Sequence, residues 1–146
     1  MLLGIQHSAL VVSDLERSRR FYGEAVGMEE LERPKAFTFR GAWFRAGGQE
    51  LHLLLAEDTT SPAGWKEPGR SALTGLAAHV ALEVDDLDGA RAQLERHGVG
   101  LFTGPLERGD GIVQFYVLDP DGHLIELFER TGDDQSGAAE RAPVRG

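Results

Sequence analysis

The sequence contains no cysteine among its 146 residues. Disulfide bridges, zinc–thiolate centres and thiol nucleophiles are therefore excluded, and any metal ion must be held by histidine and carboxylate side chains. Basic residues are also scarce, because 15 Lys and Arg stand against 24 Asp and Glu and leave a formal net charge of -9. We therefore expect no nucleic-acid partner and no membrane partner, since both attract basic patches.

Long apolar runs are absent as well. No stretch approaches the roughly 20 apolar residues of a membrane-spanning helix, and the segment before residue 5 is too short for the apolar region of a secretion signal. We therefore expect a cytoplasmic protein. The length is that of one domain with a substantial core.

The sequence contains an internal repeat, in which residues 77–94 follow the pattern of residues 5–22. His79 then aligns with His7. The match runs through an apolar strand, an acidic helix start and a helix with apolar residues near helical spacing. The sequence therefore predicts two similar halves.

The two halves are predicted to span residues 4–56 and 77–130 of a single domain. The loop between them, residues 57–76, lacks periodicity and is broken by prolines and glycines. Residues 131–146 carry no core pattern and are predicted to form a flexible tail.

Each half combines a helix with several short strands and turns. These strands and turns are predicted at 5–12, 30–33, 36–40, 42–46 and 50–55, and again at 77–84, 99–103, 112–118 and 123–130. Residues 13–16 fit a capping box that opens the first helix. The second helix is predicted to begin at Asp85 or Asp86 and to end at Gly98, and residues 119–122 form a turn signal.

Four ionisable side chains lie opposite the more apolar faces of their predicted strands, because neighbouring side chains of a strand point to opposite sides. They are His7, His52, His79 and Glu126. If the sheets curl, their concave faces can collect all four. Glu50 shares a face with His52 and is an alternative ligand.

Three imidazoles and one carboxylate suit a divalent metal ion, such as Zn²⁺, Ni²⁺, Co²⁺, Mn²⁺ or Fe²⁺. Such an ion could polarise a substrate carbonyl or stabilise an enediolate as a Lewis acid. Further candidates, for the substrate pocket, are Phe39, Trp43, Phe115, Tyr116 and His123. Aromatic residues are more often part of the core, and His123 is predicted either to shape its turn or to edge the pocket.

With these residues the sequence resembles the vicinal oxygen chelate superfamily, which includes glyoxalase I, extradiol dioxygenases and bleomycin resistance proteins. The resemblance covers residues 4–130. Its marks are residues 7–18, 21–22, 27–28, 78–81 and 118–127. It implies an α+β fold of paired βαβββ modules, whose curved mixed sheets form a cup around a metal ion.

The resemblance also implies one metal ligand from the first and the last strand of each module. These positions match His7, His52, His79 and Glu126, and Glu126 would serve as the catalytic base as well as a ligand. Many small relatives are dimers, so a homodimer is expected here. His52 departs from glyoxalase I, which usually has a carboxylate there, and the other three residues alone would satisfy the triad of dioxygenases.

The function expected from this resemblance is that of a metal-dependent enzyme acting on a small substrate with vicinal oxygens. Glyoxalase-type lyase or isomerase chemistry is the first expectation. The alternatives are a ring-cleaving dioxygenase, a resistance protein that binds an antibiotic or aromatic ligand, and a scaffold with a vestigial site.

Overall fold

The computed structural model describes residues 1–56 and 77–131. The predicted connecting loop at 57–76 lies outside the described residues, as does the predicted tail beyond residue 131. Within the described parts no helix is long and apolar enough to cross a membrane. The cytoplasmic location stays a prediction.

Two βαβββ modules follow one another along the chain, and the predicted α+β class is confirmed. The first module contains β1 (His7–Val12), α1 (Leu15–Arg19) with a π-helical continuation (Arg20–Ala25), β2 (Glu30–Leu31), β3 (Gly41–Ala46) and β4 (Gln49–Leu55). The second contains β5 (His79–Glu83), α2 (Leu87–Arg96), β6 (Thr103–Glu107), β7 (Ile112–Leu118) and β8 (Leu124–Arg130).

Each module forms one four-stranded mixed sheet, in the orders β1-β4-β3-β2 and β5-β8-β7-β6. The first and last strands of each module are parallel neighbours. Their registers are equivalent, because Ala9 lies opposite His52 and Ala81 lies opposite Glu126. The internal repeat of the sequence is therefore a repeat of strand pairing as well.

One hydrophobic core is shared by the two modules. It includes Val12, Phe44, Leu51 and Leu53 from the first module and Leu87, Leu94, Ile125 and Leu127 from the second. The helical segments also touch directly, since Gln93 Nε2 donates to the Glu24 carbonyl at 3.0 Å. Strand residues that alternate with the core residues lie on faces turned away from this shared core.

The predicted capping box at residues 13–16 is wrong by one position. Asp14 is the N-cap of α1, and its carboxylate accepts a hydrogen bond from the Arg17 amide at 2.9 Å. Ser13 instead donates its amide and its hydroxyl to the carboxylate of Asp121, in the second module. A distant partner has replaced the local capping contact. The N-cap of α2 is Asp86, which is one of the two residues predicted for the start of this helix.

One predicted strand is corrected, and one segment predicted as strand or turn is not a strand. Residues 99–103 mostly form a connector that packs Val99 and Leu101 on the core, and β6 begins only at Thr103. Residues 36–40 form no strand in the described structure. The guanidinium of Arg33 donates to the carbonyls of Phe39 and Gly41 there, which takes the place of strand pairing.

Candidate metal centre

The first pair of predicted ligands is formed by His7 on β1 and His52 on β4. Their rings stack with centroids 4.2 Å apart and an interplanar angle of 12°. The other face of His52 stacks on Trp43 of β3 at 4.0 Å and 2°. Parallel pairing of β1 with β4 brings the two histidines together, and the column of three rings fixes the orientation of the middle one.

The second pair is formed by His79 on β5 and Glu126 on β8. His79 Nε2 lies 2.9 Å from Glu126 Oε2. The hydroxyl of Tyr116 on β7 donates to the same oxygen at 3.2 Å, and its ring meets the His79 ring edge to face at 5.6 Å. This pair occupies the same place in the second module as the stacked histidines in the first.

Each of the three histidines binds a hydrogen-bond acceptor through one ring nitrogen. His7 Nδ1 contacts Gln6 Oε1, His52 Nε2 contacts Glu50 Oε2 at 2.7 Å, and His79 Nδ1 contacts the Ala77 carbonyl at 2.7 Å. Metal-binding histidines characteristically donate one ring N–H in this way, which fixes the tautomer and leaves the other nitrogen as a ligand.

Glu126 provides the strongest test of whether a metal ion fits. The residue is 3% exposed, and its Oε1 is buried without a hydrogen-bond partner. A buried carboxylate oxygen without a hydrogen bond is costly, and the Arg108 guanidinium 3.7 Å away compensates its charge without a hydrogen bond, which leaves the oxygen open to a metal ion. His79 Nδ1 donates to a carbonyl, so Nε2 is the ring nitrogen that faces Glu126 and is available to a cation. The donor set therefore fits a divalent ion.

The two pairs do not meet within one chain. Among the described residues, no three histidine or carboxylate side chains come together in an arrangement that could hold a metal ion. The physical reason is the shared core. His52 alternates with Leu51 and Leu53, and Glu126 alternates with core residues of β8, so each pair lies on an outer face.

The four Phe, Trp and Tyr candidates for the pocket divide into three groups. Trp43 and Tyr116 contact predicted ligands, as described above. Phe39 is 46% exposed and packs against Phe37 with centroids 5.4 Å apart, near Trp43. Phe115 is a correction, because it is 1% exposed and belongs to the shared core on the face of β7 opposite Tyr116.

His123 has a structural contact in place of a pocket position. Its Nε2 donates to the Val11 carbonyl at 2.7 Å, which joins the second module to the first. Its own amide donates to Asp119 Oδ1 at 2.8 Å. Of the two roles considered for His123, the structure favours the one in which it shapes the turn.

Sequence reasoning missed the polar residues around Glu126. Gln114 Nε2 donates to the Tyr116 hydroxyl at 3.0 Å, and Arg108 Nη1 lies 3.7 Å from Glu126 Oε1. Gln114 lies two positions before Tyr116 on β7, so the two side chains share a face of the strand. This spacing was the available signal for Gln114. Arg108 precedes a turn, and no periodicity links it to the site.

Two pKa shifts describe the electrostatics of these pairs. Burial and the neighbouring Glu126 carboxylate raise the pKa of Tyr116 to about 12, so this phenol is a proton donor at neutral pH. The hydrogen bond from His52 lowers the pKa of Glu50, with smaller contributions from Gln6 and His7. Glu50 is therefore a charged acceptor that orients His52.

The chain matches known proteins over most of its length. The family model of the Glyoxalase/Bleomycin resistance protein/Dioxygenase superfamily matches residues 4–127. The chain belongs to this superfamily. Members of the superfamily act on small-molecule substrates and are generally metal-dependent.

Individual members of the superfamily align with almost the whole chain. Lactoylglutathione lyase of Neisseria meningitidis is 33% identical over 142 residues, which cover 93% of this chain and 97% of that enzyme. Glutathione transferase FosA of Serratia marcescens is 31% identical over 146 residues, covering 100% and 94%. The structure of a glyoxalase/dioxygenase from Nostoc punctiforme gives a TM-score of 0.72 at 27% identity, covering 88% of this chain and 92% of that one.

Proposed function

We propose that the protein is a metal-dependent enzyme of the glyoxalase type, acting on a small substrate with oxygens on adjacent carbons. The observation that carries the proposal is Glu126, a buried carboxylate with an unpartnered oxygen beside an oriented histidine. A lactoylglutathione lyase that is 33% identical and covered over 97% of its length supports this chemistry, whereas a catechol-2,3-dioxygenase of equal identity is covered over only 40% of its length.

We propose His7, His52, His79 and Glu126 as the residues that hold the divalent ion. When bound, the ion supplies Lewis-acid polarisation of the substrate oxygens. Glu126 takes a proton from the carbon that bears the substrate hydroxyl and returns it to the neighbouring carbonyl carbon. The hydroxyl proton passes to the former carbonyl oxygen, so that substrate and product are isomers. Tyr116 donates to Oε2 and holds the carboxylate in place during both transfers.

The proposal includes a homodimer, whose two copies each contribute one pair of ligands to a site. Three features support it. The two pairs lie on outer faces of one chain, as described above. β1 and β5 are edge strands of their sheets, and within the described chain each pairs with a neighbouring strand on one side only. Leu2, Leu3 and Ile5, just before β1, are largely exposed apolar residues of the kind that a second copy covers.

Metal analysis of the purified protein tests the proposal. We expect wild type to bind a divalent ion and Glu126→Gln to bind it at least about a hundredfold more weakly, since loss of supporting partners alone costs 10–100-fold. Glu107→Gln makes the same change on an exposed strand and should match wild type. Wild-type protein without divalent-ion affinity would refute the metal-dependent mechanism.

His52→Ala, measured in the same way, separates two ligand sets. Loss of metal in this variant supports a site of four ligands. Unchanged metal content points to His7, His79 and Glu126 as a triad, which favours dioxygenase-like or transferase-like chemistry. In that case His52 acts as the middle ring of the stack with Trp43.

A second candidate function is the binding of an aromatic ligand without chemistry. The observation that favours it is the cluster of Phe37, Phe39 and Trp43, in which the two phenylalanines are 43% and 46% exposed. Ligand binding that survives chelation of the metal by EDTA would support this function over the proposed enzyme.

A further inference from the structure

We propose that Arg108 is an anion-binding residue whose availability is controlled by the metal ion. In the metal-free protein its guanidinium neutralises Glu126, and a bound divalent ion releases it to bind an anionic group of the substrate. This inference rests on the proposed function and narrows the substrate class to molecules that carry a carboxylate, phosphate or similar group near the vicinal oxygens.

Arg108 interacts with Glu126 electrostatically and forms no hydrogen bond with it. It follows β6, and its amide donates to the Ile112 carbonyl at 2.9 Å across the turn to β7. Nη1 lies 3.7 Å from Glu126 Oε1, which is beyond hydrogen-bond distance, and Oε1 stays without a partner. The arginine therefore compensates the charge of the carboxylate and leaves its ligand oxygen open.

A ring of polar contacts aims the guanidinium at the candidate site. Arg108 Nη1 also lies 3.5 Å from Gln114 Oε1. Gln114 donates to Tyr116, and Tyr116 donates to Glu126. Because Gln114 and Tyr116 alternate on β7 with core residues, this ring lies on the outer face that carries His79. Arg108 is therefore held beside the proposed reaction centre.

The guanidinium is partly exposed, and its ion pair with the exposed carboxylate of Asp110 is closer than its contact with Glu126, so a substrate anion competes with Asp110 once a metal ion occupies Glu126. The side chain of Arg108 is 36% exposed, and its second contact is with Asp110, at 2.9 Å, whose side chain is 43% exposed. A divalent ion on Glu126 supplies more positive charge than the arginine and repels it at this distance. A planar guanidinium released beside a metal site is suited to bidentate capture of a carboxylate or phosphate.

A merely structural ion pair predicts a different behaviour. Pairs with a partly exposed arginine contribute little to stability, and their removal should change neither metal affinity nor anion binding. If Arg108 competes with the metal for Glu126, its removal strengthens metal binding and weakens anion binding. These opposite changes distinguish the two roles.

Calorimetric titration of the full chain provides the test, first with Co²⁺ and then with sulfate as the anion probe on the Co²⁺-loaded protein. We expect Arg108→Gln to bind Co²⁺ about five- to tenfold more tightly and sulfate about tenfold more weakly than wild type. Arg108→Lys keeps the charge and should retain wild-type Co²⁺ affinity. Arg91→Gln removes the arginine of an exposed pair with Glu95 on α2 and should match wild type in both titrations.

The outcomes separate this inference from the proposed function. Wild-type protein that binds no Co²⁺ overturns the proposed function and the inference with it. Wild-type protein that binds Co²⁺, with Arg108→Gln indistinguishable from Arg91→Gln, overturns only the role of Arg108. Tighter Co²⁺ binding with unchanged sulfate binding overturns the anion-binding role.

Discussion

At the scale of single residues, the contact between Tyr22 and Asp119 joins the modules through the interior. Tyr22 is fully buried, and its hydroxyl donates to Asp119 Oδ2 at 2.8 Å. Burial raises the pKa of Asp119, although His123 and several hydrogen bonds act in the opposite direction. Burial, with the nearby Asp119 carboxylate, raises the pKa of Tyr22 well above its ordinary value. The pair is stable in the fold only while the phenol keeps its proton.

Tyr22→Phe should therefore lower the free energy of unfolding by about 1–3 kcal/mol, because it leaves a buried carboxylate oxygen without its donor. Urea denaturation at pH 7 measures this loss. Since the raised pKa favours the protonated phenol in the fold, wild type should lose stability as the pH rises above about 10, where the unfolded tyrosine ionises. The difference in the free energy of unfolding between wild type and Tyr22→Phe should become smaller above this pH. A constant difference up to pH 11 would contradict the stabilising role of the protonated phenol.

At the scale of elements, the turn between β7 and β8 connects the two modules. The Asp121 carboxylate in this turn accepts hydrogen bonds from the Ser13 amide, at 3.0 Å, and from the Ser13 hydroxyl. Within the turn, the Gly122 amide donates to the Asp119 carbonyl at 3.0 Å. The start of α1 is thus fixed by a residue 108 positions later. The turn positions the helix that packs on the shared core.

Asp121→Ala should destabilise the protein by about 3 kcal/mol, because it removes two hydrogen bonds to Ser13 and an ion pair with Arg17 from a carboxylate that is almost fully buried. Thermal unfolding followed by circular dichroism measures the loss. Glu95→Ala, which removes the exposed pair with Arg91, should stay within about 0.5 kcal/mol of wild type. Equal effects of the two variants would show that the turn does not hold the modules together.

The elements that sequence reasoning predicted well are those with a local pattern. Strand alternation predicted which faces of β1, β4, β5 and β8 join the core, and the repeat predicted their equivalence. The capping of α1 was missed because Ser13 has a partner in the second module. β6 was placed too early because Val99 and Leu101 are apolar for packing in a connector.

At the scale of the whole molecule, the sequence predicted which candidate residues lie together in each pair better than where the two pairs lie. Alternation and the repeat selected His7, His52, His79 and Glu126. No local pattern indicates that the helical faces of both modules share one core, which is a long-range property of packing. That core separates the two pairs within the described chain, so a site made of all four residues would need a second copy, as proposed.

Mixing two variants that are each expected to lose the metal ion tests whether the site is shared. His7→Ala removes a proposed ligand from the first pair, and Glu126→Gln removes a proposed ligand from the second pair. If each site combines pairs from two chains, a heterodimer of the two variants contains one site with both defects and one intact site. Random mixing makes half of the dimers heterodimers, so metal binding should recover to about one quarter of the wild-type stoichiometry.

The control is each variant alone, unfolded and refolded under the same conditions, which should stay without metal. A mixture of His7→Ala with His52→Ala should also stay without metal if both histidines are ligands, because both changes fall in the first pair and every site then lacks a ligand. If the four residues instead formed a site within one chain, neither mixture would recover metal binding. Recovery in the first mixture alone would therefore establish that two copies of the chain complete one metal centre.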